Sequence, residues 1–162
     1  MLARSLGVAG SGHTLSVLDN AANLLALSGD LEKGLLNFGI SFLRKIESPE
    51  ALATWRLVVG ESGRFPEVGR IFYERAVSMT ENTLAGFLSR FVINSARNET
   101  SLQMAQTFLG LFSSRQNRLL WGVEQNSPDI IEREATSVTS LFLGLYADSL
   151  GGPTSPNPET KT

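Results

Sequence analysis

Residues 48–74 read SPEALATWRLVVGESGRFPEVGRIFYE, and this stretch decides the fold. Ser48, Pro49 and Glu50 have the order of a helix start: a capping hydroxyl, a proline at the first helical position and a first-turn carboxylate. Leu52, Trp55, Val58, Val59 and Ser62 then recur at helical spacing. Phe65-Pro66-Glu67 breaks that helix and starts another, because proline cannot continue a helix but is well suited to begin one. Two helices in immediate succession, with no alternating strand pattern, predict helical packing for the whole chain.

The same grammar extends in both directions. Upstream, Asp30 caps a helix carrying Leu31, Leu35, Phe38, Phe42 and Ile46. Downstream, the helix from Pro66 is predicted to run through Ile71, Phe72, Met79, Leu84, Phe87, Phe91 and Val92, to about residue 95. Thr100 and Gln103 have the spacing of a capping box, opening a helix over 102–121 with Leu102, Ala105, Phe108, Leu109, Phe112 and Leu119. Ser127-Pro128-Asp129 repeats the first start signal and opens a helix over 130–147 with Val138, Leu141, Phe142, Leu145 and Tyr146. The expectation is an all-α bundle of five to six helices over residues 30–150. Residues 1–29 form a weaker front segment. Residues 151–162, with Pro153, Pro156 and Pro158 among Gly, Ser and Thr, read as a flexible tail.

Composition narrows the chemistry. The 162 residues are 42% hydrophobic and 19% charged, with 14 basic and 16 acidic side chains, a net charge of −2. That balance excludes a surface given over wholly to nucleic acid. No cysteine is present, and His13 is the single histidine, which excludes disulfides, thiolate sites and two-histidine metal sites. Gly60-Glu61-Ser62-Gly63 does not meet the nucleophile-elbow spacing, and no Lys-Ser/Thr follows Gly10-Ser11-Gly12 to make a phosphate loop. An enzyme is not expected. With no apolar run long enough to span a bilayer and no signal-peptide pattern, the expected compartment is cytoplasmic, with no membrane partner. Asn98-Glu99-Thr100 fits a glycosylation sequon and reads as chance.

Two candidate sites emerge from the residues. Phe38, Phe42, Trp55, Phe72, Phe87, Phe91 and Phe108 lie on different helices and together can line an apolar pocket, as well as a core. Glu61 and Arg64 are three positions apart and read first as a local ion pair, with a polar pair in a cavity as the alternative. The helix over 102–121 is apolar over too wide an arc for a surface helix, and Gly110 and Gly144 permit close approach. Both features point to a helix-pair dimer through Leu102, Ala105, Leu109, Phe112, Val138, Leu141, Phe142 and Leu145.

The run Arg56, Leu57, Glu61, Arg64, Phe65, Pro66, Glu67, then Phe72 and Tyr73, resembles the ligand-domain signature of TetR/AcrR-type transcriptional regulators of the AefR-like subgroup. Asp30-Leu31-Glu32, the Ala105–Leu111 segment and Leu141-Phe142-Leu143 with Tyr146 fit the same pattern, so the resemblance covers about 30–148. It implies a regulatory domain whose last two helices pair with those of a second copy. The middle helices would enclose a small apolar effector, with Arg56 and Glu61 as polar contacts, and no cofactor is implied. The apo form would be a repressor. The family's helix-turn-helix head matches residues 1–29 only in fragments, such as Gly7-Val8-Ala9, and Arg4 is the sole basic residue there. The resemblance therefore implies a disrupted head and DNA binding only where an intact one is present. The alternative is a head-less protein that forms mixed dimers with intact relatives.

Overall fold

The computed structural model describes residues 23, 25–93, 100–124 and 127–151. Among them are seven α-helices and one π-helical turn, with no strand longer than an isolated bridge. They are α1 (Leu31–Ile46), α2 (Pro49–Ser62), α3 (Pro66–Phe72), the π turn Tyr73–Val77, α4 (Ser78–Leu88), α5 (Ser101–Gly110), α6 (Ser113–Leu120) and α7 (Pro128–Leu145).

Local chemistry sets the starts. The Asp30 carboxylate accepts from the Lys33 amide at 2.9 Å, and the Ser48 hydroxyl accepts from the Ala51 amide at 3.2 Å. At α5 the capping box is complete: the Gln103 amide donates to the Thr100 hydroxyl at 3.2 Å, and the Thr100 amide donates to Gln103 Oε1 at 2.7 Å. Thr100→Ala removes the hydroxyl acceptor and should cost about 1 kcal/mol in a urea titration; an unchanged midpoint would show the cap to be idle. Ser127 starts α7 without a side-chain cap, leaving Pro128 and Asp129 to do that work.

The core is one cluster in which α5 is the central element. Phe108 and Phe112 of α5 and its following turn are fully buried. The Phe108 ring meets Phe38 of α1 at 6.3 Å and Phe142 of α7 at 5.2 Å, and Phe112 meets Phe42 of α1 at 5.7 Å. α4 packs chiefly on α5, and α1 on α7. Gly34 lets α4 approach α1: a Cβ there would stand 2.3 Å from the Phe87 ring. Leu25, ahead of α1, and Leu150, after α7, belong to the same cluster, so the core reaches slightly beyond the helices at both ends. The Ile93 amide donates to the Ser149 carbonyl at 3.0 Å, and the Gly151 amide donates to the Phe91 carbonyl at 2.9 Å.

Two long helices expected from the sequence are each broken. The helix from Pro66 is interrupted at Tyr73–Val77, where one wider turn shifts the phase. α3 buries no residue, whereas α4 after the shift buries Thr80, Glu81, Leu84, Phe87 and Leu88. The helix expected over 102–121 divides at Leu111–Phe112 into α5 and α6. Gly122, at φ +72°, then ends the α6 region in a conformation that only glycine adopts readily. Residues 1–22, 94–99 and 152–162 lie outside the described residues, and with them His13, the sequon asparagine, the tail and most of the front segment.

Candidate functional site

By ring contact the aromatic residues expected to line one pocket fall into three groups, of which the first two belong to the one core cluster and the third lies outside it. Phe38, Phe42 and Phe108 form a continuous stack with Phe112, Phe142 and Tyr146, at ring separations from 4.8 to 6.3 Å. They are the core itself. Phe87 and Phe91 pair at 5.1 Å beside the Arg90 guanidinium, which donates to the carbonyls of Leu25 and Ser28. Trp55 and Phe72 meet edge-on at 5.0 Å between α2 and α3. Helical spacing places an apolar side chain inward, but not on which neighbour it lands, so the sequence could not separate these groups.

Arg56 faces neither core nor pocket. Its Nε and Nη2 donate to the carbonyls of Leu120 and Leu119, each at 3.1 Å. These carbonyls lie at the end of α6, where that of Leu119 also accepts from the Gly122 amide at 3.1 Å, and a cation there meets the negative end of the helix dipole. Glu61 and Arg64 do not form the expected local pair: the Arg64 guanidinium lies over the Phe65 ring at 5.3 Å instead. α2 ends at Ser62 with Gly63 as its C-cap, and the Arg64 amide donates to the Glu61 carbonyl at 3.0 Å.

Four residues of the expected dimer face belong to the subunit's own core. Ala105, Phe112 and Phe142 are fully buried and Val138 nearly so, and Leu109 is half-buried against the same cluster. The wide apolar arc of the 102–121 segment marks a central helix, enclosed by α1, α4 and α7, rather than one covered only by a partner. Leu102, Leu141 and Leu145 remain exposed. Leu141 and Leu145 stand on the outer side of α7, over a shallow groove of about 840 Å³ that Ser137, Ser140 and Gly144 also line. The opposite side of the helix buries Ile131, Ala135, Val138 and Phe142.

Two buried polar arrangements were not anticipated. Glu47, just after α1, and Arg115 of α6 are each 1% exposed and form a two-point ion pair: Arg115 Nε donates to Glu47 Oε1, and Nη2 to Oε2 at 3.0 Å. Glu124 extends the pair, accepting from Arg115 Nη1 at 3.3 Å and from Arg118 Nε at 2.5 Å. The hydrogen bond from Arg115 to Glu47 raises the guanidinium above its ordinary pKa; burial opposes this, and the charges of Glu47 and Glu124 reinforce it. The partners lie 68 positions apart, beyond any sequence periodicity.

The second arrangement centres on Glu81 of α4, which accepts at one oxygen from Tyr73 Oη at 3.0 Å and from Gln106 Nε2 at 3.2 Å. Tyr73 lies in the π turn, and its phenol is raised above its usual pKa by the hydrogen bond to Glu81, and further by that residue's charge. The unusual turn is the one signal that would have marked this place, and a π turn cannot be read from periodicity.

No group of three or more potential metal ligands occurs among the described residues, and no helix among them is long and apolar enough to cross a membrane. No curated protein matches the chain. A solved chain described as a TetR-family transcriptional regulator from Mesorhizobium loti shares the fold at a TM-score of 0.70. The two are 20% identical, and the match covers 82% of this chain and 69% of that one. The family model for the C-terminal domain of AefR-like transcriptional repressors matches residues 33–148, from within α1 to just beyond α7. The chain therefore belongs to the AefR-like transcriptional repressor C-terminal domain family.

Proposed function

We propose that residues 30–150 act as the dimerising, effector-responsive regulatory domain of a TetR-type repressor. The observation that carries this reading is the two-sided α7. Its inner side completes the subunit core, while its outer side exposes Leu141 at 60% and Leu145 at 41% beside Ser137, Ser140 and Gly144. Paired leucines among small residues let a second helix approach closely, and a two-fold axis through this face brings the same residues together from both copies. An effector then acts by favouring one dimer geometry over another. DNA recognition requires an intact helix-turn-helix head; where one is attached, that geometry would set its half-site spacing.

Sedimentation at low micromolar concentration tests the dimer. The wild-type chain is expected to sediment as a dimer. Leu141→Glu with Leu145→Glu places four carboxylates at the two-fold axis and removes apolar burial of about 1.5–3 kcal/mol per leucine, giving a monomer. Because both side chains are exposed in the subunit, the variant's helical content and its urea midpoint extrapolated to the monomer should stay close to wild type. A wild-type monomer, or an undiminished dimer in the double variant, would remove the α7 interface.

A further inference from the structure

Two carboxylates are buried among the described residues, and they are treated differently. Glu47 has its own arginine. Glu81, 9% exposed, has none: the ion pairs among the described residues join Arg70 to Glu74, Arg115 to Glu47 and Glu124, and Arg118 to Glu124. Both hydrogen bonds to Glu81 come from neutral donors and both end on Oε2, so Oε1 accepts none among the described residues. An ionised carboxylate removed from water is costly until an opposite charge meets it.

The surroundings leave that oxygen within reach from outside. Tyr73, which bonds to the carboxylate, is itself 47% exposed, and Gln106 on the other side is exposed as well. The π turn carries Tyr73 away from the regular helical path, and turns of this kind are concentrated at functional sites. A phenol ring beside a recessed carboxylate suits a cation on two counts, by charge-assisted hydrogen bonding and by attraction to the ring face.

We infer that Glu81, with Tyr73 and Gln106, forms a recognition site for an organic ammonium carrying an apolar group. The ammonium donates to the open Oε1, Tyr73 and Gln106 hold the carboxylate by Oε2, and the apolar group lies against the exposed Tyr73 ring. As the chemical class of the effector, this assignment rests on the regulatory role proposed above.

Calorimetric titration of the full chain with three probes of one skeleton tests it: 4-phenylbutylammonium, 4-phenylbutanol and 4-phenylbutyrate. The ammonium should bind about tenfold or more tightly than the alcohol, with the carboxylate weakest. Glu81→Gln, of the same shape and still an acceptor for Tyr73 and Gln106, should bring ammonium and alcohol to within about twofold of each other. Tyr73→Phe leaves the carboxylate in place and should weaken ammonium binding while keeping the preference over the alcohol. It decides the matter if the Gln variant fails to fold. Equal affinity for ammonium and alcohol, no ammonium binding at millimolar concentration, or an unchanged preference in a folded Glu81→Gln chain would each overturn the assignment. Sedimentation of the same samples reports the dimer independently, so failure of the ammonium site and failure of the α7 interface give different results.

Discussion

Replacing Glu47 with Leu is expected to destabilise the domain by about 3–5 kcal/mol, because it leaves the Arg115 guanidinium buried without its counter-charge. Glu47 is the principal counter-charge: Arg115 is 1% exposed, Glu124 reaches only Nη1, and Glu134 acts through its charge alone, so neither replaces the two-point bond. Nor can the group shed its charge, since its pKa is raised from an already high value, principally by the bond to Glu47. The sign follows for the arginine: its contribution is complete below its unfolded pKa and, on the alkaline side, is lost only in strong alkali. Titration between neutrality and pH about 10 should therefore leave this contribution unchanged. Removing both partners is a different experiment. Glu47→Leu with Arg115→Met takes both charges out of the interior and is expected to recover most of the loss, as apolar replacement of buried pairs often does. Urea unfolding of the two single variants and the double gives the coupling directly. A cost below about 1 kcal/mol for Glu47→Leu alone would mean that water reaches the guanidinium. The consequence for architecture is specific: α6 is held to the end of α1 by this pair, and to α2 by Arg56 at its last carbonyls, largely through polar contacts.

Phe108→Ala is expected to cost about 3–5 kcal/mol, a large part of the roughly 5–15 kcal/mol that holds an ordinary domain together. Phe108 has no exposed surface, and its ring contacts Phe38, Phe112 and Phe142 from α1, the α5–α6 turn and α7. Truncation leaves a hole surrounded by three other rings, which cannot close over it without moving three elements at once. Phe108→Leu keeps most of the volume and should cost about half as much or less. The measurement is the urea midpoint at constant slope for both variants. If Phe108→Ala matched Phe108→Leu, the core would be able to collapse around the missing ring, and α5 would not be its centre. The result bears on function, since a residue expected to line an effector pocket would instead prove indispensable to the fold.

Much of this architecture was legible in local sequence signals. Asp30, Ser48 with Pro49, and Thr100 with Gln103 mark helix starts within about a residue, because a cap is a bond between neighbours three positions apart, and Pro128 marks one because proline suits the first helical position. The segment from Arg56 to Tyr73 carried the family, and the family model spans residues 33–148. What local signals missed were interruptions that keep the apolar period nearly intact. The π turn at Tyr73–Val77 adds a wider turn without a proline or a polar gap, and the break at Leu111–Phe112 lies within an apolar run. Both would pass for continuous helix on periodicity alone.

The sequence by itself determined which segments are helical, where most of them begin, and the family to which they belong. These depend on caps, prolines and apolar spacing, all encoded within a few neighbouring residues. The tertiary structure decided which aromatic side chains share a cluster, and that Ala105, Phe112, Val138 and Phe142 face inward while Leu141 and Leu145 face out. It also decided that Glu47 has an arginine and Glu81 has none. A helix pattern specifies a stripe, but the partner of each residue on that stripe depends on how several helices cross. Glu47 and Arg115 meet across 68 positions because the helices between them bring them together, and no local rule contains that distance.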